Sequence, residues 1–229
     1  MKRTIYILLS LFLLVSCQQE DILNPSSDGY LQLQSVTTSN IVTEEVNTRA
    51  VENDLYIHIT GNNVNTLFEP GDFPQEKIKL KAGSYELEAY NEAYNSQISN
   101  APRYYAKQAF SIEAEKVRYL DVEVPMINVG ISLAAFSDEL SGLFTNPYLT
   151  FYTTDPELKQ TLQPDETVYF DYTEGMIFSY TLTATNADNE TFTTDVKTYG
   201  SDEQPVEAGH CYVITYSLAS TKTLQDTVR

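Results

Sequence analysis

The stretch Leu55-Tyr56-Ile57-His58-Ile59-Thr60 alternates apolar and polar side chains with a period of two residues. This period places successive side chains on opposite faces, which is typical of a half-buried β-strand. The same alternation recurs at residues 85–89, 120–124 and 129–133. Further candidate strands lie at residues 30–36, 78–81, 104–114, 148–153, 168–172, 176–185, 191–199 and 211–218.

About a dozen short strands separated by turn residues predict an all-β protein built from antiparallel sheets. Pro125 separates two strongly alternating segments and interrupts a strand ladder, so we expect a boundary there. The predicted modules are an N-terminal β-sandwich at residues 30–125 and a C-terminal β-sandwich at residues 126–229. One short helix is predicted over residues 136–144, with Ser137 as its N-cap.

The N-terminus carries an export pattern. Lys2 and Arg3 precede an apolar run over residues 5–15, which is too short to span a bilayer as a helix. The run leads into Ser16 and Cys17, and it resembles the lipobox of bacterial lipoproteins. We therefore expect cleavage of a signal peptide at residues 1–16, lipid on Cys17 that attaches the protein to the membrane, and a tether at residues 17–29. An ordinary signal peptide that happens to contain a cysteine is the alternative.

The charge balance limits the partners of the chain. Its 229 residues include 32 acidic and 14 basic side chains, for a formal net charge of −18. Such a chain repels phosphate backbones at long range, and no basic cluster offsets that repulsion locally. We expect no nucleic-acid partner.

Sequence motifs for metal, acyl or phosphoryl chemistry are absent: the chain has no HExxH, CxxC, GxSxG or phosphate loop. His58 and His210 have no neighbouring ligands at metal-binding spacing, and Cys211 lies in an apolar run that favours a buried, inert thiol. We predict no enzyme activity, no catalytic or metal-binding residue and no cofactor. Residues 186–190 offer oxygen ligands for weak calcium binding, but Asn and Asp also favour a tight turn, which is the preferred interpretation.

Exposed tyrosines are candidates for ligand contact. They are Tyr90, Tyr94, Tyr104 and Tyr105. Tyrosine rings stack on sugars and are enriched in protein interfaces. Without a fold, these tyrosines cannot be distinguished from core residues.

Several segments together resemble the Bacteroidetes lipoprotein family catalogued as domain of unknown function 4493, and more distantly the fimbrillins, or type V pilins. They are the lipobox, residues 30–36, 47–50, 55–60, 81–89 and 102–105 with Phe110, and residues 136–144. The resemblance implies two transthyretin-like sandwiches, a place in fimbriae or at the cell surface, and no enzyme activity.

Arg49 and Ala50 occupy the place where the resemblance to fimbrillins implies proteolytic maturation. In fimbrillins an arginine-specific protease removes the first strand, and a strand of the next subunit fills the groove. An arginine in a polar linker over residues 37–53 is the alternative interpretation. In the predicted first strand, Leu31, Leu33 and Ser35 face one way, so the strand can fill a sheet edge.

The sequence thus predicts a non-enzymatic lipoprotein of the outer membrane, anchored at the cell surface, with a structural or adhesive role as a fimbrial subunit, accessory or anchor. Its predicted partner is a protein that joins by strand exchange. The alternative is a carbohydrate-binding accessory lipoprotein with a glycan partner.

Overall fold

The computed structural model describes residues 27–42, 45–50, 54–97, 100–154, 157–218 and 224–228. Within them the chain is almost entirely β. The helices are α1 (Glu92–Asn95) and α2 (Asp138–Ser141). The strands are β1 (Asp28–Val42), β2 (Glu45–Ala50), β3 (Tyr56–Gly61), β4 (Val64–Phe68), β5 (Ile78–Lys81), β6 (Gly83–Tyr90), β7 (Tyr105–Ile112), β8 (Val117–Pro125), β9 (Val129–Leu133), β10 (Phe144–Thr154), β11 (Glu157–Leu162), β12 (Thr167–Phe170), β13 (Phe178–Asn186), β14 (Thr191–Thr193), β15 (Lys197–Tyr199), β16 (His210–Leu218) and β17 (Leu224–Val228). The all-β prediction is confirmed.

The strands form three sheets. The largest follows the order β12-β9-β16-β1-β2, with β17 on β16 and with β5 and β8 on β1. A second sheet has the order β11-β10-β13-β14 with β15 on β13, and a third has the order β4-β3-β6-β7. The second and third sheets are antiparallel as predicted, but the β1–β8, β1–β16 and β9–β16 pairs are parallel. Parallel pairs join strands far apart in sequence, so local periodicity does not reveal them.

The first hydrophobic core lies between the four-stranded sheet and the β1, β5 and β8 part of the large sheet. Ile59 and Leu87 come from the four-stranded sheet, while Leu31 and Val124 come from the large one, and all four are buried. Full burial of each such side chain stabilises the fold by about 1.5–3 kcal/mol. This packing of two sheets is the predicted sandwich.

The second core lies between the five-stranded sheet and the β9, β12 and β16 part of the large sheet. Phe151 and Phe178 from one side meet Ile131 and Ile214 from the other, and Leu140 of α2 packs into the same cluster. All five side chains are fully buried. The apolar positions of the alternating segments therefore form the second core as well.

The two cores fall on either side of residues 125–128 in sequence. The chain between them is held in place: the Met126 amide donates to the Ser39 carbonyl, and the Ile127 amide donates to the Arg103 carbonyl, both at 2.8 Å. Strand β1 also pairs with β16, which joins the two parts in one sheet. The domain boundary at residue 125 stays a prediction.

The sequence predicted one short helix, but the described residues contain two. Helix α2 occurs where it was expected, with the Ser137 side chain accepting from the Leu140 amide, but it spans only four residues. Helix α1 was not predicted. Its N-cap is Asn91, whose side chain accepts from the Tyr94 amide at 3.1 Å, and Glu92 lies in its first turn. An Asn followed by an acidic residue is the signal that identifies it in retrospect.

The predicted first strand is longer than expected, and the predicted polar linker over residues 37–53 is largely a hairpin. Strand β1 continues to Val42, and β2 pairs with it in an antiparallel register. A bulge between Leu33 and Ser35 also changes the predicted side-chain pattern. Ser35 is exposed and Val36 is buried, because the extra residue of a bulge reverses the alternation.

Among the residues that the structure describes, no helix has the length and hydrophobicity needed to cross a membrane.

Candidate functional sites

Strand β1 is paired along both of its edges. On one edge it pairs with β5 through residues 28–31 and with β2 through residues 37–42. On the other edge it pairs with β8 through residues 30–39 and with β16 at residues 41–42. Leu31 and Val36 point into the first core. A strand in this position fills a gap between other strands, and its removal would leave two sheet edges unpaired.

The candidate maturation site lies in β2. Arg49 pairs in register with Thr38 of β1, and Ala50 pairs with Thr37. Strand β2 ends the order of the large sheet, and its described pairing is with β1. A cut after Arg49 would therefore separate β1 and most of β2 from the rest of the chain. The other predicted site residue, Cys17, lies outside the described residues, as do the signal peptide and most of the tether.

A second candidate site lies on the outer face of the four-stranded sheet. Tyr56 of β3 is directly opposite Tyr90 of β6, and Tyr90 is directly opposite Tyr105 of β7. Tyr94 of α1 follows β6 and adds a fourth ring. We call these four residues the tyrosine row. Each is partly exposed, because the inward positions of the same strands are taken by core residues.

Each ring of the tyrosine row contacts the next ring along the row. The centroids of Tyr56 and Tyr90 are 5.4 Å apart with an interplanar angle of 13°. Tyr90 and Tyr94 are 5.6 Å apart and tilted, and Tyr94 and Tyr105 are stacked at 4.6 Å. Three neighbouring strands spaced by about 4.8 Å make this aromatic surface about 10 Å wide.

Two carboxylates hold the ends of the row. Tyr56 donates its hydroxyl hydrogen to Glu92 at 2.5 Å, and Tyr105 donates to Glu88 at 3.0 Å. Hydrogen bonds from Ser96 and Tyr56 lower the pKa of the Glu92 carboxyl. Burial disfavours the charged form of Glu88, but hydrogen bonds from Tyr105 and Lys107 outweigh it, so the pKa of Glu88 is also lowered. Both carboxylates are therefore charged at neutral pH.

A charged row runs beside the tyrosine row on the same face. His58, Glu88 and Lys107 are direct neighbours on β3, β6 and β7. His58 Nδ1 lies 3.5 Å from Glu88 Oε2, and its Nε2 lies 2.6 Å from Asn65 Oδ1. Lys107 Nζ lies 2.7 Å from Glu86 Oε1 and 3.4 Å from Glu88 Oε1. This face thus places a row of stacked tyrosine rings next to charged and polar side chains.

The sequence analysis identified three of the four residues of the tyrosine row. Tyr90, Tyr94 and Tyr105 belong to it, but Tyr104 does not, since it packs partly buried against the first core. Tyr56 was missed as a candidate. Its position on the polar side of an alternating strand was visible in the sequence, but its pairing with Tyr90 depends on a strand register that joins distant segments.

A cavity of about 260 Å³ lies where the two cores meet, lined by Gln97, Asn100, Arg103, Asn128, Glu157, Leu158, Gln160, Tyr169, Phe170 and Asp171. The Arg103 guanidinium forms an ion pair with Asp171 there. Asn128 is buried, accepts from the Arg103 amide at 3.0 Å and donates to the Ala101 carbonyl at 2.8 Å. These bonds brace the loop before β7 against the start of β9.

The other residues considered in the sequence have structural roles. Cys211 is buried, and burial raises the pKa of its thiol. His210 lies beside the Ala208 carbonyl and Glu207. Asn186 closes the turn between β13 and β14, because its side-chain oxygen accepts from the amides of Asp188 and Glu190. Among the described residues, no group of three or more His, Cys, Asp or Glu side chains has the geometry of a metal site.

The fold defines an all-β protein in which one large sheet contributes strands to two hydrophobic cores. Residues 27–228 match the family described as Domain of unknown function (DUF4493), and the chain belongs to that family. The family resemblance in the sequence is thereby confirmed. No curated protein sequence matches the chain.

Solved structures of low sequence identity resemble this chain. A candidate cell adhesion protein from Bacteroides ovatus is 15% identical, with 87% of this chain and 95% of that chain covered and a TM-score of 0.45. A candidate cell adhesion protein from Bacteroides eggerthii is 8% identical, with coverages of 89% and 95% and a TM-score of 0.46. The fimbrial anchor protein Mfa2 from Porphyromonas gingivalis is 10% identical, with coverages of 88% and 97% and a TM-score of 0.35. These values transfer no function to this chain.

Proposed function

We propose that the protein is a non-enzymatic lipoprotein with a structural or adhesive role, anchored in the outer membrane through Cys17 and exposed at the cell surface. A protein partner joins it by strand exchange at the position of β1. The observation that carries this proposal is the pairing of β1 along both edges, with β8 on one side and β5 and β2 on the other.

The position of Arg49 supports a role in maturation. Strand β2 lies at the end of the large sheet, so it can separate from β1 without breaking the pairs between β1 and β8. A protease that requires an extended substrate can then cut between Arg49 and Ala50. The released segment keeps its hydrogen bonds to β8 and β5 until a competing strand displaces it. Cleavage therefore permits exchange rather than immediate loss of the strand.

Limited trypsin digestion of the purified protein tests the proposal. The cut protein is mixed with a labelled peptide that has the sequence of residues 28–42. We expect the peptide to enter the cut protein. An Arg49→Ala variant has no trypsin site at this position, so we expect β1 to stay joined to the chain and the peptide to be excluded. A peptide with Leu31→Asn and Val36→Asn is the matched control, since it keeps the backbone but loses the two buried side chains.

The state of the native protein decides whether cells use this site. N-terminal sequencing of protein from its own cells should find chains that begin at Ala50, and size measurement should find polymers or complexes. Two results together would refute strand exchange: native chains that begin at Cys17 under all growth conditions, and trypsin-cut protein that stays monomeric and excludes the peptide. Acyl labelling that persists in a Cys17→Ala variant would refute the anchor.

Carbohydrate binding is the second candidate function. The tyrosine row favours it, because four partly exposed rings lie beside charged and polar groups on one sheet face.

A further inference from the structure

The tyrosine row is held rigidly before any ligand binds. The hydroxyl groups of Tyr56 and Tyr105 are engaged by Glu92 and Glu88, and Tyr94 stacks on Tyr105. A ligand that contacts these rings therefore pays little conformational entropy for ordering them.

The chemistry of this face matches that of a sugar ring. The faces of tyrosine rings carry partial negative charge, and they attract the partly positive C–H groups that cover one side of a pyranose. The hydroxyl groups at the rim of the sugar need donors and acceptors. Lys107 directs its ammonium group to Glu86 and Glu88 and keeps a third N–H donor, and the two carboxylates offer acceptors. These groups lie one row away from the aromatic rings on the same strands.

The charge of the surface selects among carbohydrates. Glu86, Glu88 and Glu92 outnumber Lys107 at this face, and the whole chain carries a formal net charge of −18. Glycans that bear carboxylate or sulfate groups are therefore repelled. A cationic peptide would be attracted by this charge and by the ring faces, and its binding in place of a glycan would contradict the proposal. A neutral glycan has C–H groups that suit the rings and is not repelled by this charge.

We propose that the tyrosine row binds a neutral oligosaccharide that lies across β3, β6 and β7. Its C–H groups pack on the rings, and its hydroxyl groups bond to Lys107, Glu86 and Glu88. The proposal rests on the second candidate function, which it makes specific to one face of the protein and one ligand class. Because this face lies away from β1, binding is independent of the strand exchange proposed above.

The test uses the purified full-length chain in detergent and affinity electrophoresis with soluble polysaccharides. The neutral probes are a β-glucan, a mannan and an arabinoxylan, and polygalacturonate is the anionic probe. We expect retardation by at least one neutral probe and none by polygalacturonate. Tyr90→Ala and Tyr105→Ala should each weaken binding about tenfold or more. Tyr119→Ala is the matched control, because Tyr119 is an exposed tyrosine on β8, outside this sheet.

The outcomes separate the proposal from the function on which it rests. If the wild-type protein binds a neutral probe and the variants at Tyr90 and Tyr105 bind equally well, carbohydrate binding stands but the tyrosine row is not the site. If no probe is bound, or if only polygalacturonate is bound, the proposed ligand class is wrong. Circular dichroism and thermal unfolding of each variant establish that a loss of binding does not come from a loss of fold.

Discussion

Tyr180 donates a hydrogen bond of 2.5 Å to Asp226, and this bond joins β13 of the five-stranded sheet to β17 of the large sheet. The Tyr180 side chain is buried, and Asp226 is mostly buried. Lys197 Nζ lies 3.6 Å from the same carboxylate but is half exposed. The last described strand pairs with β16, and one buried hydrogen bond and one exposed ion pair also tie it to the five-stranded sheet.

We predict that Tyr180→Phe destabilises the protein by about 1–3 kcal/mol, because it leaves a largely buried carboxylate without its main donor. Lys197→Met is the control, and it should cost less than about 1 kcal/mol because exposed ion pairs contribute little. Urea unfolding measures both free energies. Equal losses for the two variants would show that the buried hydrogen bond has no special role.

We predict that Asn128→Ala destabilises the protein by at least about 2 kcal/mol. The substitution removes partners from the Arg103 amide and the Ala101 carbonyl at the junction of the two cores. Unsatisfied polar groups at a largely buried position each cost about 1–3 kcal/mol. Gln163→Ala, at an exposed position, is the control and should change stability by less than about 0.5 kcal/mol. A neutral effect of Asn128→Ala in urea unfolding contradicts the bracing role of this side chain.

We predict that Gly29→Ala weakens the insertion of β1. A Cβ at this position would lie 2.2 Å from the Glu113 carbonyl oxygen, so the strand or its neighbour must shift. Such overpacking costs about 1–3 kcal/mol. In trypsin-cut protein the same variant should take up the labelled peptide of residues 28–42 faster than the wild type does.

Gly142→Ala is the control for that experiment. A Cβ at Gly142 would lie 3.4 Å from its nearest neighbour, in helical backbone, so the substitution adds no serious clash. Its stability and its rate of peptide uptake should match those of the wild type. Uptake by Gly29→Ala at the wild-type rate would mean that the fit of the β1 start does not control exchange.

The strands that the sequence analysis missed, β2, β4, β11 and β17, all lie at sheet edges. Other edge strands, β7, β12 and β14, were predicted. An edge strand has one neighbouring strand, and many of its side chains are exposed to solvent. In β4, three of the five residues are exposed. The apolar alternation that marks a buried face is therefore weak in such strands.

The candidate sites depend on pairs of strands that are distant in sequence, and a local sequence pattern does not predict which strands pair. The tyrosine row forms because β3 and β6 pair in one register, and a shift of one residue would move Tyr56 to the other face. The length of β1 was underestimated for a related reason. Residues 37–42 are mostly polar, but β2 and β8 satisfy their backbone groups, so the strand continues without a strong apolar pattern.

The final prediction concerns alkaline pH. Tyr180, Tyr212 and Tyr216 are buried in the second core, and burial is the main cause that raises the pKa of each, for Tyr212 to about 12. An unfolded tyrosine ionises with a pKa of about 10. Above that pH the folded protein holds more protons than the unfolded chain, so the free energy of unfolding must fall as the pH rises.

For each buried tyrosine the slope approaches about 1.4 kcal/mol per pH unit between about pH 10 and the folded pKa. Urea unfolding at a series of pH values measures it. Between about pH 10 and pH 12, the free energy of unfolding of Tyr212→Phe should fall less steeply than that of the wild type, by about 1.4 kcal/mol per pH unit. Phe170→Leu is the control, because it perturbs the same core without removing an ionisable group. It should lower stability equally at every pH, and a wild-type stability that stays constant from about pH 8 to pH 11 would contradict the prediction.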